Sequence, residues 1–176
     1  MGFFCMNNRD MDIIKKLYSI FCNHPVISID TRNIQPGSMF FGIRGPNFNG
    51  SDFADEALAK GAVCAVVDET NPSAHDHFIR VKDTLAALQK LARHHRNKIK
   101  AEILAITGSN GKTTTKELCN AILGRKFNVL STAGNLNNHI GVPLTLLTLT
   151  NNTEIGVIEM GANHRGEIAA LCDIAL

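Results

Sequence analysis

An α/β fold in two parts follows from three features of the sequence. Short β-prone runs alternate with turn dipeptides and amphipathic segments up to about residue 82; an apolar strand later runs into the glycine-bracketed segment Gly108-Ser109-Asn110-Gly111-Lys112-Thr113; and from Glu102 onward strand, turn and helix alternate, which is the grammar of a parallel sheet. The expected organisation is a small N-terminal α/β domain over residues 1–82, a connecting helix over 83–100, and the first part of a parallel-sheet phosphate-loop domain over 101–176.

Each element has a local reason. Ile13, Ile14, Leu17, Ile20 and Phe21 recur at helical spacing and predict an amphipathic helix ending near Asn23-His24-Pro25. Val26 to Ile29 and Met39 to Ile43 read as strands separated by the turn Gln35-Pro36-Gly37. A polar loop from Arg44 to Gly50 precedes a helix for which Ser51 is the expected N-cap, with Phe53, Ala54, Ala57 and Leu58 inward and Gly61 at its end. Val63 to Val67 reads as a buried strand and Phe78 to Val81 as another. Asp83 or Thr84 then caps a helix with Leu85, Leu88 and Leu91 on one face. Its basic end, Arg93-His94-His95-Arg96-Asn97-Lys98, complements the helix dipole, which is the simpler reading than a phosphate contact.

Composition excludes several classes. The 176 residues are 44% hydrophobic and 19% charged with a formal net charge of +2, too balanced for nucleic acid or an acidic membrane surface to be the main partner. The five cysteines are odd in number and never form CxxC, so neither a disulfide framework nor a structural zinc site is expected, and a reducing cytoplasm is the simplest compartment. The apolar start Met1 to Met6 is too short for a signal or a transmembrane helix; Gly2 lacks the context for myristoylation, and Met11 is an alternative start. With one tyrosine, Tyr18, and no tryptophan, a stacking platform for single strands is not expected. His75-Asp76-His77 reads as a solvated loop, Cys119 as a small core residue, and the sequon Asn151-Asn152-Thr153 as chance.

The chemistry concentrates in the second half. The run Ile103 to Ile106 followed by Thr107 to Gly111 and a helix through Leu118, Ile122 and Leu123 is how a phosphate loop is built. Gly108 and Gly111 let successive N–H groups point inward, Lys112 reaches the β- and γ-phosphates, and the Thr113 hydroxyl suits magnesium. The pattern departs from GxxxxGK[ST], because Ile106 stands where the first glycine belongs. The apolar run ending at Glu159 delivers a carboxylate to the C-terminal end of a strand, where it is expected beside Thr113 as a second magnesium group. The amide-rich stretch Thr132 to Pro143 reads equally as a polar-substrate site or as an asparagine-stabilised loop.

The segment Thr107 to Thr114, with this departure, resembles the ATP loop of the Mur ligases, which assemble the peptide of the bacterial cell-wall precursor. Gly134-Asn135-Leu136-Asn137-Asn138-His139-Ile140-Gly141-Val142-Pro143 and Glu159-Met160-Gly161-Ala162-Asn163-His164-Arg165-Gly166-Glu167-Ile168 look like the member adding D-alanyl-D-alanine to UDP-N-acetylmuramoyl-tripeptide. Asp30-Thr31-Arg32, Gln35 to Phe41 and Gly45 to Gly50 look like the UDP-binding N-terminal domain of that family. The resemblance implies an ATP- and Mg²⁺-dependent ligase acting through an acyl phosphate, cytoplasmic and monomeric when full length, with no nucleic acid and no membrane insertion. It implies ATP contacts at Thr107, Gly108, Ser109, Asn110, Gly111, Lys112, Thr113 and Thr114, catalytic roles for Lys112 and Glu159, and Mg²⁺ at Thr113 and Glu159. Asp30, Thr31, Arg32 and Asn47 would serve the uridine diphosphate, and Asn135, Asn137 and Asn138 the muramoyl-peptide. Against full-length members the chain would lack the rest of the ATPase domain and the C-terminal acceptor domain, so it is expected to be unstable or inactive alone. An amino-acid-adding or folylpolyglutamate-type sister, or a non-catalytic nucleotide- or UDP-sugar-binding module, are the alternative readings.

Overall fold

The computed structural model describes residues 8–176; the readings made on Met1, Gly2 and Cys5 lie outside the described residues. The chain separates into two compact units, residues 1–91 and 92–176, the division falling inside a helix. Among the described residues the sheet strands pair in parallel throughout, in a four-stranded and a three-stranded sheet, and one isolated antiparallel bridge joins Arg44 to Asn49.

In the first unit α1 (Asn8–Asn23) precedes β1 (Ile27–Ser28), β2 (Met39–Phe41), α2 (Ala54–Ala59), β3 (Cys64–Asp68), β4 (Phe78–Val81) and α3 (Thr84–Arg96), with strand order β1-β2-β3-β4. α1 buries Ile14, Leu17 and Phe21, the inward face expected of its spacing. β2 and β3 are buried at every position, and their register aligns Phe40 with Ala65 and Ala65 with Phe78 in one row across the sheet. That row packs with Ala54, Ala57, Ala62 and Val67 into an apolar core whose small helix residues let α2 lie close. β1 is shorter than the apolar run Val26 to Ile29, because Asp30 opens a 3-10 turn over Thr31–Asn33.

Ser51 does not cap α2 as expected. A 3-10 turn over Gly50–Phe53 precedes that helix, and the Asn49 side chain accepts from the Ser51 N–H as its cap. Ser51 is instead buried, its hydroxyl donating to the Gly42 carbonyl and accepting from the Asp68 N–H at 2.9 Å. Phe53, expected inward, is 43% exposed, because the 3-10 turn rotates it off the helical face. Gly42 and Gly50 are required by this packing: a Cβ on Gly50 would lie 2.3 Å from the Ile43 carbonyl oxygen. Asp83 caps α3, accepting from the Ala86 N–H at 2.8 Å.

In the second unit the end of α3 is followed by β5 (Glu102–Ile106), α4 (Lys112–Leu123), β6 (Val129–Ser131), α5 (Gly141–Leu147), β7 (Ile155–Glu159) and α6 (Glu167–Ala175), with strand order β5-β7-β6. The basic end of α3 serves structure: His95 is buried with its ring nitrogen at 2.9 Å from the Leu149 carbonyl, and Arg96 donates to the carbonyls of Ala175 and Ile99. Burial pushes the His95 pKa below its ordinary value, opposed by its contact with that carbonyl. α4 does not bury the apolar residues that predicted it. Leu118 and Ile122 are 59% and 69% exposed, and the buried position on this helix is Lys116.

Candidate functional site

In a parallel sheet the space beyond the C-terminal strand ends is free of crossover helices, and loops gather there. β5 ends at Ile106, paired with Glu159 at the end of β7, so the phosphate-type loop and the carboxylate emerge side by side. The loop Thr107 to Gly111 is exposed along its length. Gly111 takes φ +75° as the N-cap of α4, a left-handed conformation that turns the chain directly into the helix. The N–H groups of the first turn of α4 therefore face the loop, where an anion would find donors and the positive end of the dipole. The Lys112 ammonium lies across this loop, donating to the Gly108 carbonyl at 2.8 Å.

Glu159 is the focus of the site. It is 2% exposed, and its two oxygens accept from neutral donors only: the Thr113 hydroxyl at 3.0 Å and the Asn137 amide at 2.8 Å. Among the described residues no lysine, arginine or histidine is paired with it. A buried carboxylate without a counter-charge beside a hydroxyl is a hard-oxygen donor set, which fits Mg²⁺. Asn137 is fixed in turn, since its carbonyl accepts from the Gly161 N–H at 2.7 Å, and a Cβ on Gly161 would press on its side chain at 3.2 Å.

The other two asparagines behave differently. Asn138 spends its side-chain oxygen on the N–H groups of Ile140 and Gly141, capping the entry to α5, and Asn135 stands exposed in the loop. Within this stretch Asn137 faces the Glu159 carboxylate and Asn138 holds the turn. Thr107, Ser109, Asn110 and Thr114 are exposed around the same loop.

In the first unit, Asp30, Thr31 and Arg32 sit at the C-terminal end of β1. Asp30 accepts from the Arg32 backbone N–H at 2.9 Å and from both Nε and Nη2 of its guanidinium, and this side-chain contact, then the backbone one, holds its pKa down at about 2. The Lys60 ammonium donates to the carbonyl of buried Thr31 at 2.9 Å and to Glu56. Asn47 is exposed in the loop following β2, which Arg44 anchors to Asp68 at 3.1 Å.

Position apart, the sequence gives no sign of a role for Lys116 or Lys60, and Thr132 stands in it only as the first residue of the amide-rich stretch. Lys116 is buried with its ammonium 2.7 Å from the Thr132 carbonyl, and the Thr132 hydroxyl accepts from the Glu159 N–H at 2.9 Å. The one available signal was position: Lys116 follows Thr113 by one helical turn and so shares its face. The pair His75 and His77 holds no metal cluster; His77 contacts the Val63 carbonyl and the His75 ring stacks on Phe78, and no group of ligating side chains occurs among the described residues.

Two family models match in succession: the Mur ligase family catalytic domain over residues 25–96 and the Mur ligase middle domain over residues 106–176. The UDP-N-acetylmuramoyl-tripeptide--D-alanyl-D-alanine ligase of Bacillus subtilis is 41% identical over 151 residues, 85% of this chain and 33% of that protein. The ligase of the same name from Escherichia coli is 48% identical over 143 residues, 81% of this chain and 31% of the relative. A solved MurF ligase from Thermotoga maritima, in complex with ADP, superposes with a TM-score of 0.77 at 37% identity, covering 85% of this chain and 35% of that one. The chain spans about a third of the length of the curated relatives it matches.

Proposed function

The chain belongs to the Mur ligase family, and from that premise we propose that it carries the nucleotide- and precursor-binding parts of an ATP-dependent ligase joining D-alanyl-D-alanine to UDP-N-acetylmuramoyl-tripeptide. The observation that carries the reading is the cluster Thr113, Glu159 and Asn137 at the mouth of the loop Thr107 to Gly111.

In this reading the loop N–H groups and the dipole of α4 cradle the β- and γ-phosphates of ATP, and Lys112 leaves the Gly108 carbonyl to pair with them. Thr113 and Glu159 would hold Mg²⁺, which when bound would neutralise charge on the phosphates. Asn137 donates to one Glu159 oxygen and so fixes the orientation of the carboxylate that would hold the metal. The terminal carboxylate of the tripeptide attacks the γ-phosphorus, giving an acyl phosphate and ADP. The amine of D-alanyl-D-alanine then attacks the acyl carbon, releases inorganic phosphate and leaves the amide. This chain's residues contribute positioning and charge neutralisation to the first of these steps.

Asp30, Thr31, Arg32 and Asn47 serve the uridine diphosphate end of the precursor, with Asn135 on the peptide side and Asn138 holding the turn beside it. The same reading places the protein in the cytoplasm as a monomer, in peptidoglycan synthesis and so in cell shape and division. No helix among the described residues is long and apolar enough to cross a membrane.

Calorimetric titration of the chain with ATP and MgCl₂ tests the proposal. The expected result is saturable, Mg²⁺-dependent binding that Glu159→Gln weakens about tenfold or more, the usual scale for losing a charged metal ligand. Absence of saturable ATP binding by the folded chain, or equal binding by Glu159→Gln, overturns it.

A further inference from the structure

Beyond Thr113, α4 sends a second polar side chain toward the end of β7. Lys116 is a long cation with 2% of its side chain exposed, an arrangement that costs free energy unless its donors are used. It donates to the Thr132 carbonyl at 2.7 Å and pairs with the Glu117 carboxylate at 2.9 Å. Thr132 lies one residue beyond β6, at the point where that strand leaves the sheet. Its backbone N–H still pairs with the Val157 carbonyl at 3.0 Å, and its hydroxyl accepts from the Glu159 N–H at 2.9 Å. The hydroxyl therefore takes the place of a strand carbonyl that β6 no longer supplies, and β7 stays held on that side as far as Glu159. On the other side the Met160 N–H donates to the Ile106 carbonyl at 2.8 Å.

Three atoms of Thr132 are thus engaged at once, and Lys116 grips the one that ties it to α4. Lys116 and Thr113 are one turn apart on the same helix face. Thr113 reaches the Glu159 carboxylate directly, and Lys116 reaches the Glu159 backbone through Thr132. The two links close a ring that sets the separation of the two oxygens read above as the magnesium pair.

We infer that Lys116 is a positioning residue for this pair, acting through Thr132 to keep Glu159 in register with Thr113; the inference rests on the nucleotide-binding reading given above. Outer partners of metal ligands commonly alter metal affinity 10- to 100-fold when removed. Lys116→Met keeps the aliphatic stem and removes the donor.

The test titrates fluorescent mant-ATP into the folded chain across a MgCl₂ series and separately without Mg²⁺, with the melting temperature measured alongside. The expected result for Lys116→Met is about a tenfold rise in the Mg²⁺ concentration for half-maximal binding, with Mg²⁺-free affinity within about twofold of wild type. An unchanged Mg²⁺ dependence, whatever happens to the melting temperature, overturns the inference and leaves Lys116 structural. Should Lys116→Met fail to fold, Thr132→Val and Thr132→Ser decide. A Mg²⁺ shift in the valine variant that the serine variant does not show supports the relay, and equal behaviour of the two overturns it. A wild-type chain that shows no Mg²⁺-dependent binding fails one step earlier, overturning the nucleotide reading and this inference with it.

Discussion

The sheet around β2 and β3 and the sheet around β7 differ in what they bury. In the first, Met39, Phe40 and Phe41 and all of Cys64 to Asp68 are inside, and an apolar row runs from Phe40 through Ala65 to Phe78. In the second only β7 is buried over most of its length; β5 and β6 are half-covered, and Leu104, Leu118 and Ile122 face outward. A lysine and a glutamate, each 2% exposed, occupy interior positions of this second unit. Apolar rows supply stability without chemistry, whereas buried polar groups are held by hydrogen bonds that also fix their geometry. Both units bury hydrogen-bonded polar side chains, Ser51, Asp68 and Asn71 among those of the first; what sets the second apart is that Thr113, Asn137 and Thr132 all converge on one buried carboxylate residue, Glu159.

The strongest way to break that contrast is to remove a core ring. Phe40→Ala is expected to cost about 3–5 kcal/mol, because it leaves a cavity in a row that α2 cannot collapse into. Amide hydrogen exchange should show the loss across β2 and β3 while protection in β7 stays near wild type. Leu118→Ser, on an exposed face of α4, should change protection by less than about 0.5 kcal/mol. Equal loss in both sheets after Phe40→Ala would mean that the two units unfold as one, and the distinction would be wrong.

How much of this was legible in the sequence follows the same division. β4 falls on Phe78–Val81 as its β-branched run predicts, and the apolar stretch before Glu159 becomes β7 with the carboxylate at its end. The turn at Gly111 was legible because a local conformation demanded it. Ser51, Lys116 and Thr132 were not, since each owes its role to a partner far along the chain: Ser51 to Gly42 and Asp68, Lys116 to Thr132, and Thr132 to Glu159. Helical periodicity also placed α4 while misjudging its inward face. A period of 3.6 marks a stripe of residues, but what meets that stripe is decided by tertiary packing. The three asparagines share a composition and are separated only by geometry, one toward Glu159, one capping α5 and one exposed.

A pair of glycines sharpens the contrast at smaller magnitude. Gly50→Ala would drive a Cβ to 2.3 Å from the Ile43 carbonyl oxygen, an overpacking that should cost about 1–3 kcal/mol in the first unit. At Gly111 an added Cβ would meet nothing within 4 Å, so the cost of Gly111→Ala comes from φ +75° alone, about 1–2 kcal/mol. Thermal unfolding should register Gly50→Ala through the β2–β3 sheet. Gly111→Ala should act on the first turn of α4 and weaken ATP binding. A Gly111→Ala variant with unchanged ATP affinity would show that the loop tolerates another backbone path, and that aiming in the second unit does not depend on this turn.

The smallest effect concerns two carboxylates held low by different means. Asp30 owes its pKa of about 2 first to the Arg32 guanidinium and then to the Arg32 N–H; Glu167 is lowered by the backbone N–H groups of Asn163 and His164 at the start of α6. For Asp30 the folded value lies below the ordinary 3.8, so its favourable contribution is complete above that pH and fades as pH falls toward 2. Carboxyl ¹³C titration should show the Asp30 midpoint rising toward 3.8 in Arg32→Ala, and rising partway in wild type at high salt. Glu167 should respond to salt much less, since backbone donors are fixed dipoles rather than mobile charges. An Asp30 midpoint that stays near 2 in Arg32→Ala would assign the effect to the backbone N–H. In that case the C-terminal end of β1 would hold its carboxylate as the start of α6 does, by backbone donors, and Arg32 would be free to turn toward a phosphate without releasing Asp30.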